Sequence, residues 1–219
     1  MATLQPYQTK DGSFTLFNEQ LDEHYHSIHG AHTESQHVFI EAALNYFVQH
    51  YSTTPISILE MGFGTGLNAW LSQEFAHNHQ RSVAFTSLEA YPLSLEQIQP
   101  LDYPEGLYQL HEVEWEQATH LTEFFSLTKK KSSLHQWLLS EDLPYYDIIY
   151  YDAFAPSAQP ELWTKEVFAG LYAQLNKNGV LTTYCAKGQV KRDLKAVGFT
   201  VENLPGPPGK REMTRAIKS

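Results

Sequence analysis

The stretch Ile58-Leu59-Glu60-Met61-Gly62-Phe63-Gly64-Thr65-Gly66-Leu67-Asn68 constrains this chain more than any other. Pro55 introduces a short apolar strand from Ile56 to Leu59, three alternate glycines follow, and a helix is expected from about Leu67 to Phe75. Glycines let the backbone turn sharply and come close to a ligand. Ligands in open α/β sheets bind at the carboxyl ends of the strands, where this turn lies. The spacing narrows the choice of ligand. A dinucleotide loop reads G-x-G-x-x-G and points a helix N-terminus at a pyrophosphate. Here the third glycine comes one residue early, at Gly66, and the Glu60 carboxylate would repel a pyrophosphate. A turn with no role beyond connecting strand to helix is the competing explanation.

The rest of the chain repeats the alternation. Strands are expected at Val83 to Leu88, Asp147 to Tyr151 and Val180 to Tyr184, and helices at Val38 to Phe47, Leu93 to Ile98, Glu161 to Leu175 and Gln189 to Val197. Gly12 to Phe17 with its flanks reads as a strand or hairpin, and His24 to Ser35 as irregular. Lys177-Asn178-Gly179 reads as a helix stop, with Gly198 as another. Leu107 to Leu139 is the least regular part, with strands at Leu107 to Val113 and Phe124 to Leu127 and a helix near Leu134 to Leu139. Such alternation predicts a parallel sheet covered on both faces. Phe199 to Leu204 and Met213 to Ile217 lie too close together for a helical crossover, so they should pair antiparallel. Residues 1–54 are expected to form an N-terminal extension packed on a core domain of residues 55–219.

Charge is unevenly spread. The chain of 219 residues carries a formal net charge of -10. From Lys187 onward eight basic residues face three acidic ones, so this tail is net positive by five. A basic edge on an acidic body suits RNA docking, and equally an ordinary solvated surface. No apolar run approaches the roughly 18 residues of a membrane span. The first residues lack a secretory leader, so a cytoplasmic location is expected. The lone Cys185 excludes an internal disulfide and reads as packing. The histidines at positions 24, 26, 29, 32 and 37 lack the spacing and companions of a zinc site, so no metal is expected.

The E-x-G-x-G-x-G pattern resembles the first motif of class I S-adenosylmethionine-dependent methyltransferases, and a mostly parallel sheet ending in an antiparallel hairpin is similar to their Rossmann-like fold. Glu60, Gly62, Phe63, Gly64, Thr65, Gly66 and Asn68 are then the expected cofactor loop, with Glu60 suited to the positive surroundings of the donor. Glu89, ending the second strand, can accept hydrogen bonds from ribose hydroxyls. Glu112, Glu114 and Lys129-Lys130-Lys131-Ser132 compete for the contact to adenine. Asp152 closes the strand Asp147 to Tyr151 beside the expected methyl donor and is the candidate catalytic residue; a plain loop cap is its alternative. Tyr91 and Phe154 are candidates to pack on cofactor or base, or simply in the core.

Four motifs in order sharpen the resemblance. Gly62 to Asn68, Asp152-Ala153-Phe154-Ala155-Pro156 with Gln159 to Trp163, Thr183 to Gly188, and Gly206-Pro207-Pro208-Gly209-Lys210-Arg211-Glu212-Met213 resemble the MnmC-type tRNA methyltransferases, as do His26-Ser27, Gly30-Ala31, Glu34-Ser35 and His37-Val38-Phe39. The resemblance implies methylation of the 5-aminomethyl group of (2-thio)uridine at the tRNA wobble position. Lys187, Lys210 and Arg211 become candidate phosphate contacts, and Gly206 to Gly209 a rim over the uridine. Some members are fused to a flavin-dependent oxidase; the sequence ends at Ser219 soon after the last motif, so no flavin is expected and a separate enzyme would supply the amine. Two other readings share these features. An aminopropyltransferase similar to spermidine synthase has the same fold, and a non-catalytic tRNA-binding module would keep the basic tail.

Overall fold

A computed structural model describes residues 3–219. Its centre is an eight-stranded sheet built from β4 (Ile56–Met61), β5 (Val83–Leu88), β6 (Ala118–Thr122), β7 (Phe125–Lys130), β8 (Tyr146–Tyr151), β9 (Leu175–Thr183), β10 (Phe199–Pro205) and β11 (Glu212–Lys218). The order is β10-β11-β9-β8-β4-β5-β7-β6. Five central strands, β7, β5, β4, β8 and β9, are parallel, while β11 runs antiparallel between β9 and β10, and β6 antiparallel on the far edge. The chain winds from β4 toward β7 and then returns to the other side of β4 at β8. That reversal opens a crevice beyond the carboxyl ends of β4 and β8.

The central strands are buried on both faces, as their near-continuous apolar runs require. Ile58, Leu59, Ile148 and Ile149 are fully buried. One face is covered by α3 (Leu67–His79), α5 (Glu105–Glu112) and a helical run that is α over Ala31–Ser35 (α1), π over Gln36–Asn45 and α over Tyr46–His50 (α2). The other carries α6 (Leu134–Leu138), α7 (Lys165–Gln174) and α8 (Gly188–Ala196). The shorter α4 (Leu95–Ile98) lies between β5 and α5 in the chain.

Three readings of the sequence are corrected. Leu107 to Val113 is not a strand: it lies almost wholly within α5, because Leu107 and Leu110 are both buried at helical spacing while Gln109 and Glu112 face solvent. Lys177-Asn178-Gly179 does not stop a helix. The helix α7 ends at Gln174, and β9 starts at once and carries these residues through an irregularity opposite Tyr146 and Ile148. Asn178, with φ 66°, takes the left-handed position. A Cβ on Gly179 would stand 2.8 Å from the Asn176 carbonyl oxygen, so the kink leaves no room for a side chain. The helix expected at Glu161 is split, with a short 3-10 turn over Pro160–Trp163 before Thr164 caps α7.

The stretch His24 to Ser35 also departs from expectation, since helix begins at Ala31. The cause is remote in sequence. A small sheet of β1 (Leu4–Gln8), β2 (Phe14–Asn18) and β3 (Glu23–His24) carries Asp11 on the β1–β2 turn. Asp11 accepts hydrogen bonds from Thr33 N at 3.0 Å and Thr33 Oγ1 at 2.8 Å on one oxygen, and from Thr9, Ser13 N and Ser13 Oγ on the other. These bonds hold its carboxyl well below the usual carboxylate range, against the opposing cost of its partial burial. A depressed folded value contributes stability above the unfolded value, near about pH 4, that is lost as pH falls below it. Asp11→Ala is therefore expected to lower Tm at pH 7 by about 2–4 °C, the scale of one lost helix cap. The deficit should shrink at pH 3 in a thermal melt.

Candidate active site

The glycine loop leaves β4 with Gly62, Gly64 and Gly66 all at positive φ. At Gly62, φ 88°, a Cβ would sit 3.3 Å from the Asp152 carbonyl oxygen. The loop therefore passes hard against the end of β8. Its outer side is braced by packed rings and a buried cation. His111 Nε2 lies 2.9 Å from the Thr65 carbonyl oxygen, and Phe63 packs on His111. The fully buried Lys129 donates to the His111 carbonyl oxygen at 2.7 Å and lies 5.3 Å from the centre of the Phe63 ring. Burial brings the Lys129 ammonium down to about 8 and His111 to about 4.

A cavity of about 1240 Å³ opens over this loop. Ligand pockets for one drug-sized molecule run to about 1,000 Å³, so there is room here for two ligands side by side. Gly62, Phe63, Gly64, Thr65, Asn68, Glu89, Tyr91, Asp152 and Phe154 all line it, as expected from the sequence. Glu60 and Gly66 do not appear on its wall. Glu89 accepts from Gly64 N at 3.1 Å and Tyr91 N at 2.8 Å, which fixes both carboxylate oxygens at the cavity edge. Tyr91 is largely exposed at the rim. Beyond β7 the wall is made by Lys131, Ser132, Ser133, Leu134 and His135, while Glu112 and Glu114 are absent from it.

The other half of the cavity is acidic. Asp152 takes a 2.8 Å hydrogen bond from Asn68 Nδ2. Burial, and secondarily the nearby Glu34 carboxylate, push Asp152 up to about 7, despite the bond from Asn68 and the charge of Lys210. Its loop is pinned from behind. Trp163 Nε1 donates to the Phe154 carbonyl oxygen at 2.8 Å, and Tyr184 donates to that of Ala153 at 2.8 Å. Glu34 comes from α1, accepts from Ser27 N at 2.7 Å and pairs with Lys210, whose ammonium stands 3.9 Å from the Tyr184 ring centre. The N-terminal segment closes the cavity with Tyr25, packed on Phe154 at 5.0 Å, and His26, which burial holds down to about 4.

Motif reading placed Lys210 as a phosphate contact, whereas it reaches inward to Glu34. Lys187 and Arg211 are exposed and share a shallower groove of about 480 Å³ with Lys210 and Tyr184. The Gly206 to Gly209 rim is also relocated. A Cβ on Gly209 would stand 2.1 Å from His29, and His37 Nε2 lies 2.8 Å from the Pro205 carbonyl oxygen, so this loop packs on the N-terminal segment and does not line the cavity. Tyr25, His26, Glu34 and Tyr184 were not singled out as site residues from the sequence. His26, Glu34 and Tyr184 belong to the resembling motifs, whereas Tyr25 lies outside them and carries no such signal.

Residues 94–219 match a family profile described as S-adenosyl-L-methionine-dependent methyltransferase. The chain belongs to that family. Among its relatives is the tRNA 5-methylaminomethyl-2-thiouridine biosynthesis bifunctional protein MnmC of Cupriavidus metallidurans, 30% identical over 97% of this chain and 33% of the relative. The same-named protein of Magnetococcus marinus is 31% identical over 93% of this chain and 32% of its own. The chain thus spans about a third of the length of these curated relatives. A crystal structure of MNMC2 from Aquifex aeolicus superposes with a TM-score of 0.81 at 26% identity, covering 99% of this chain and 70% of that one. The aminopentose methyltransferase CalS10 of Micromonospora echinaspora shares the fold at a TM-score of 0.51 and 12% identity. Family membership settles the choice between methyl and aminopropyl transfer in favour of methyl transfer. It also makes the chain an enzyme. No helix among the described residues is long and apolar enough to cross a membrane.

The donor fits the site observed. The loop glycines that face the cavity present backbone with no side chain in the way, and Glu89 offers fixed acceptors beside them.

Proposed function

We propose that this enzyme methylates the amine of 5-aminomethyl-(2-thio)uridine at the wobble position of tRNA, giving the 5-methylaminomethyl form. The observation that carries this reading is the wall formed by Asp152 and Glu34 on a cavity with room for a second ligand. Carboxylates with no reacting group of their own suit an amine acceptor. The printed function of the MnmC relatives supplies the nucleoside.

S-adenosylmethionine supplies an electrophilic methyl group when bound. Gly62, Phe63, Gly64, Thr65, Asn68 and Glu89 would hold it, with Tyr91 and Phe154 against its rim and Gly66 shaping the loop from behind. Only a neutral amine has the lone pair needed for attack. Lys210 is paired with Glu34, so the wall stays net acidic and does not itself favour the neutral amine; electron withdrawal by the uracil lowers the pKa of the amine toward neutrality. Asp152 accepts an N–H hydrogen bond, orients the lone pair and takes the proton released as the new C–N bond forms. A carboxyl near 7 is matched to this task at neutral pH, where an ordinary carboxylate would be too weak a base. Positioning of the two reactants supplies most of the acceleration.

Lys187 and Arg211 stand in a groove that meets the cavity at Tyr184 and Lys210, and are proposed to hold tRNA phosphates. Lys187→Ala with Arg211→Ala is expected to weaken tRNA binding roughly tenfold and to reduce the salt slope by about 2. An unchanged slope in a salt titration sinks the assignment. The site acts on an amine already formed, so the reading includes a separate enzyme that makes the aminomethyl group. Both reactants are cytoplasmic molecules, and the protein is proposed to act there.

The test is nucleoside mass spectrometry after incubation with S-adenosylmethionine and tRNA bearing 5-aminomethyl-2-thiouridine. Gain of one methyl at that nucleoside supports the reading. No gain, with donor binding intact, moves the acceptor to another amine.

A further inference from the structure

Tyr25 stands where the two halves of the cavity meet. Its ring lies on the glycine loop: a Cβ added at Gly64 would be 3.2 Å from Tyr25 Cδ1. The same ring packs edge-to-face on Phe154, two residues beyond Asp152, with centroids 5.0 Å apart and planes at 76°. Both rings are half-buried and line the cavity. Backbone bonds hold Tyr25 in place. Tyr25 N donates to the Leu16 carbonyl oxygen at 2.9 Å, and the next two amides, of His26 and Ser27, donate to Thr15 Oγ1 at 3.0 Å and to Glu34 at 2.7 Å. Tyr25 belongs to the N-terminal segment, outside residues 94–219 that match the family profile.

The donor changes charge at its sulfur. S-adenosylmethionine carries a positive sulfonium, and loss of the methyl group leaves the neutral thioether of S-adenosylhomocysteine. A donor that lies on the glycine loop and hands its methyl group toward Asp152 places the sulfonium between the two, where Tyr25 and Phe154 meet. Aromatic faces attract cations through the ring quadrupole. In an edge-to-face pair, each ring keeps at least one face clear of the other. Burial, and secondarily the Glu89 carboxylate, push the Tyr25 hydroxyl up to about 12, so the ring is the neutral phenol at working pH.

We propose that Tyr25 is a specificity residue for the donor: with Phe154 it forms an aromatic wall against the sulfonium, so that the site holds the charged donor more tightly than the neutral product. A ring there attracts the ligand that still has a methyl group to give and has no such hold on the one that has lost it. The inference rests on the donor lying on the glycine loop with its methyl group toward Asp152. It does not rest on which amine is the acceptor.

The test is calorimetry with S-adenosylmethionine and, separately, with S-adenosylhomocysteine. Tyr25→Leu removes the ring but keeps an apolar side chain. It is expected to lose about five- to thirtyfold in affinity for the donor and less than about threefold for the product. Tyr25→Phe keeps the ring and should restore the preference for the donor. Pentafluorophenylalanine in place of Tyr25 keeps the ring's shape but draws electron density from its faces. It should therefore weaken the donor relative to the product as Tyr25→Leu does, and it keeps the test decisive if Tyr25→Leu fails to fold. A merely structural role would weaken both ligands alike. Equal losses for donor and product, or a fluorinated variant that binds both as Tyr25→Phe does, overturns the proposal. Neither ligand involves tRNA, so a failure here is distinct from a failure to find the methylated nucleoside.

Discussion

Asp152→Asn is expected to slow methyl transfer about 100- to 10,000-fold, the range for removing one positioned proton acceptor, while leaving the affinity for S-adenosylmethionine intact. Asn keeps an acceptor for the Asn68 N–H bond and so preserves the local geometry. What it cannot do is take up the proton. In the unsubstituted enzyme turnover should rise with pH through about 7 as Asp152 ionises. The variant should lack that limb and keep only the rise due to the substrate amine. Stability should move the other way. A carboxyl whose folded value is raised contributes its stability below the unfolded value, near about pH 4, and loses it as pH rises through about 7. Above that range the native state holds a charge in a place that disfavours it. Asp152→Asn removes the charge, so it should melt higher than the unsubstituted protein at pH 8, with the gap closing toward pH 4. Because the carboxyl faces an open cavity, the gain is put at about 1–2 kcal/mol. Near-normal turnover in the variant would remove Asp152 from the mechanism.

The second large effect lies in the glycine loop. Gly62→Val combines two penalties. The backbone there has φ 88°, a conformation that a β-branched residue strongly resists. The added Cβ would also meet the Asp152 carbonyl oxygen at 3.3 Å, and that atom belongs to backbone that cannot swing aside. The loop must shift outward, into the space where the donor binds and away from Asp152. A strained backbone of this kind costs about 1–3 kcal/mol, so donor affinity should fall roughly tenfold to a hundredfold. Titration calorimetry reads this directly. Unchanged affinity would mean that the donor does not lie on this loop.

Strand–helix alternation and the apolar runs at Ile56 and Asp147 were enough to place β4, β5 and β8 almost residue for residue. These strands are buried on both faces, so nearly every residue reports its environment. The edge strand β6 was missed because Ala118 to Thr122 is half exposed and carries little apolar pattern. The sequence of α5 does not distinguish helix from strand, because three apolar residues, Leu107, Leu110 and Val113, are too few to separate the two periods. The start of α1 was missed for another reason: its cap, Asp11, lies 22 residues upstream of Thr33.

The candidate site divides along the same line. Loop glycines, the carboxylate at the end of β5 and the aspartate at the end of β8 were legible because parallel α/β topology brings strand ends to one edge whatever the loops do. By itself the sequence determined that edge, the turn geometry and the hairpin that ends the sheet, since each follows from local pattern and chain connectivity. Only the tertiary structure decided the states and partners of the side chains. It set Glu34 against Lys210, sent Lys210 inward while Lys187 and Arg211 stayed outside, and sank Glu60 beneath the loop. Burial and the distance between charges fix what a carboxyl does, and both are set by residues far apart in the chain.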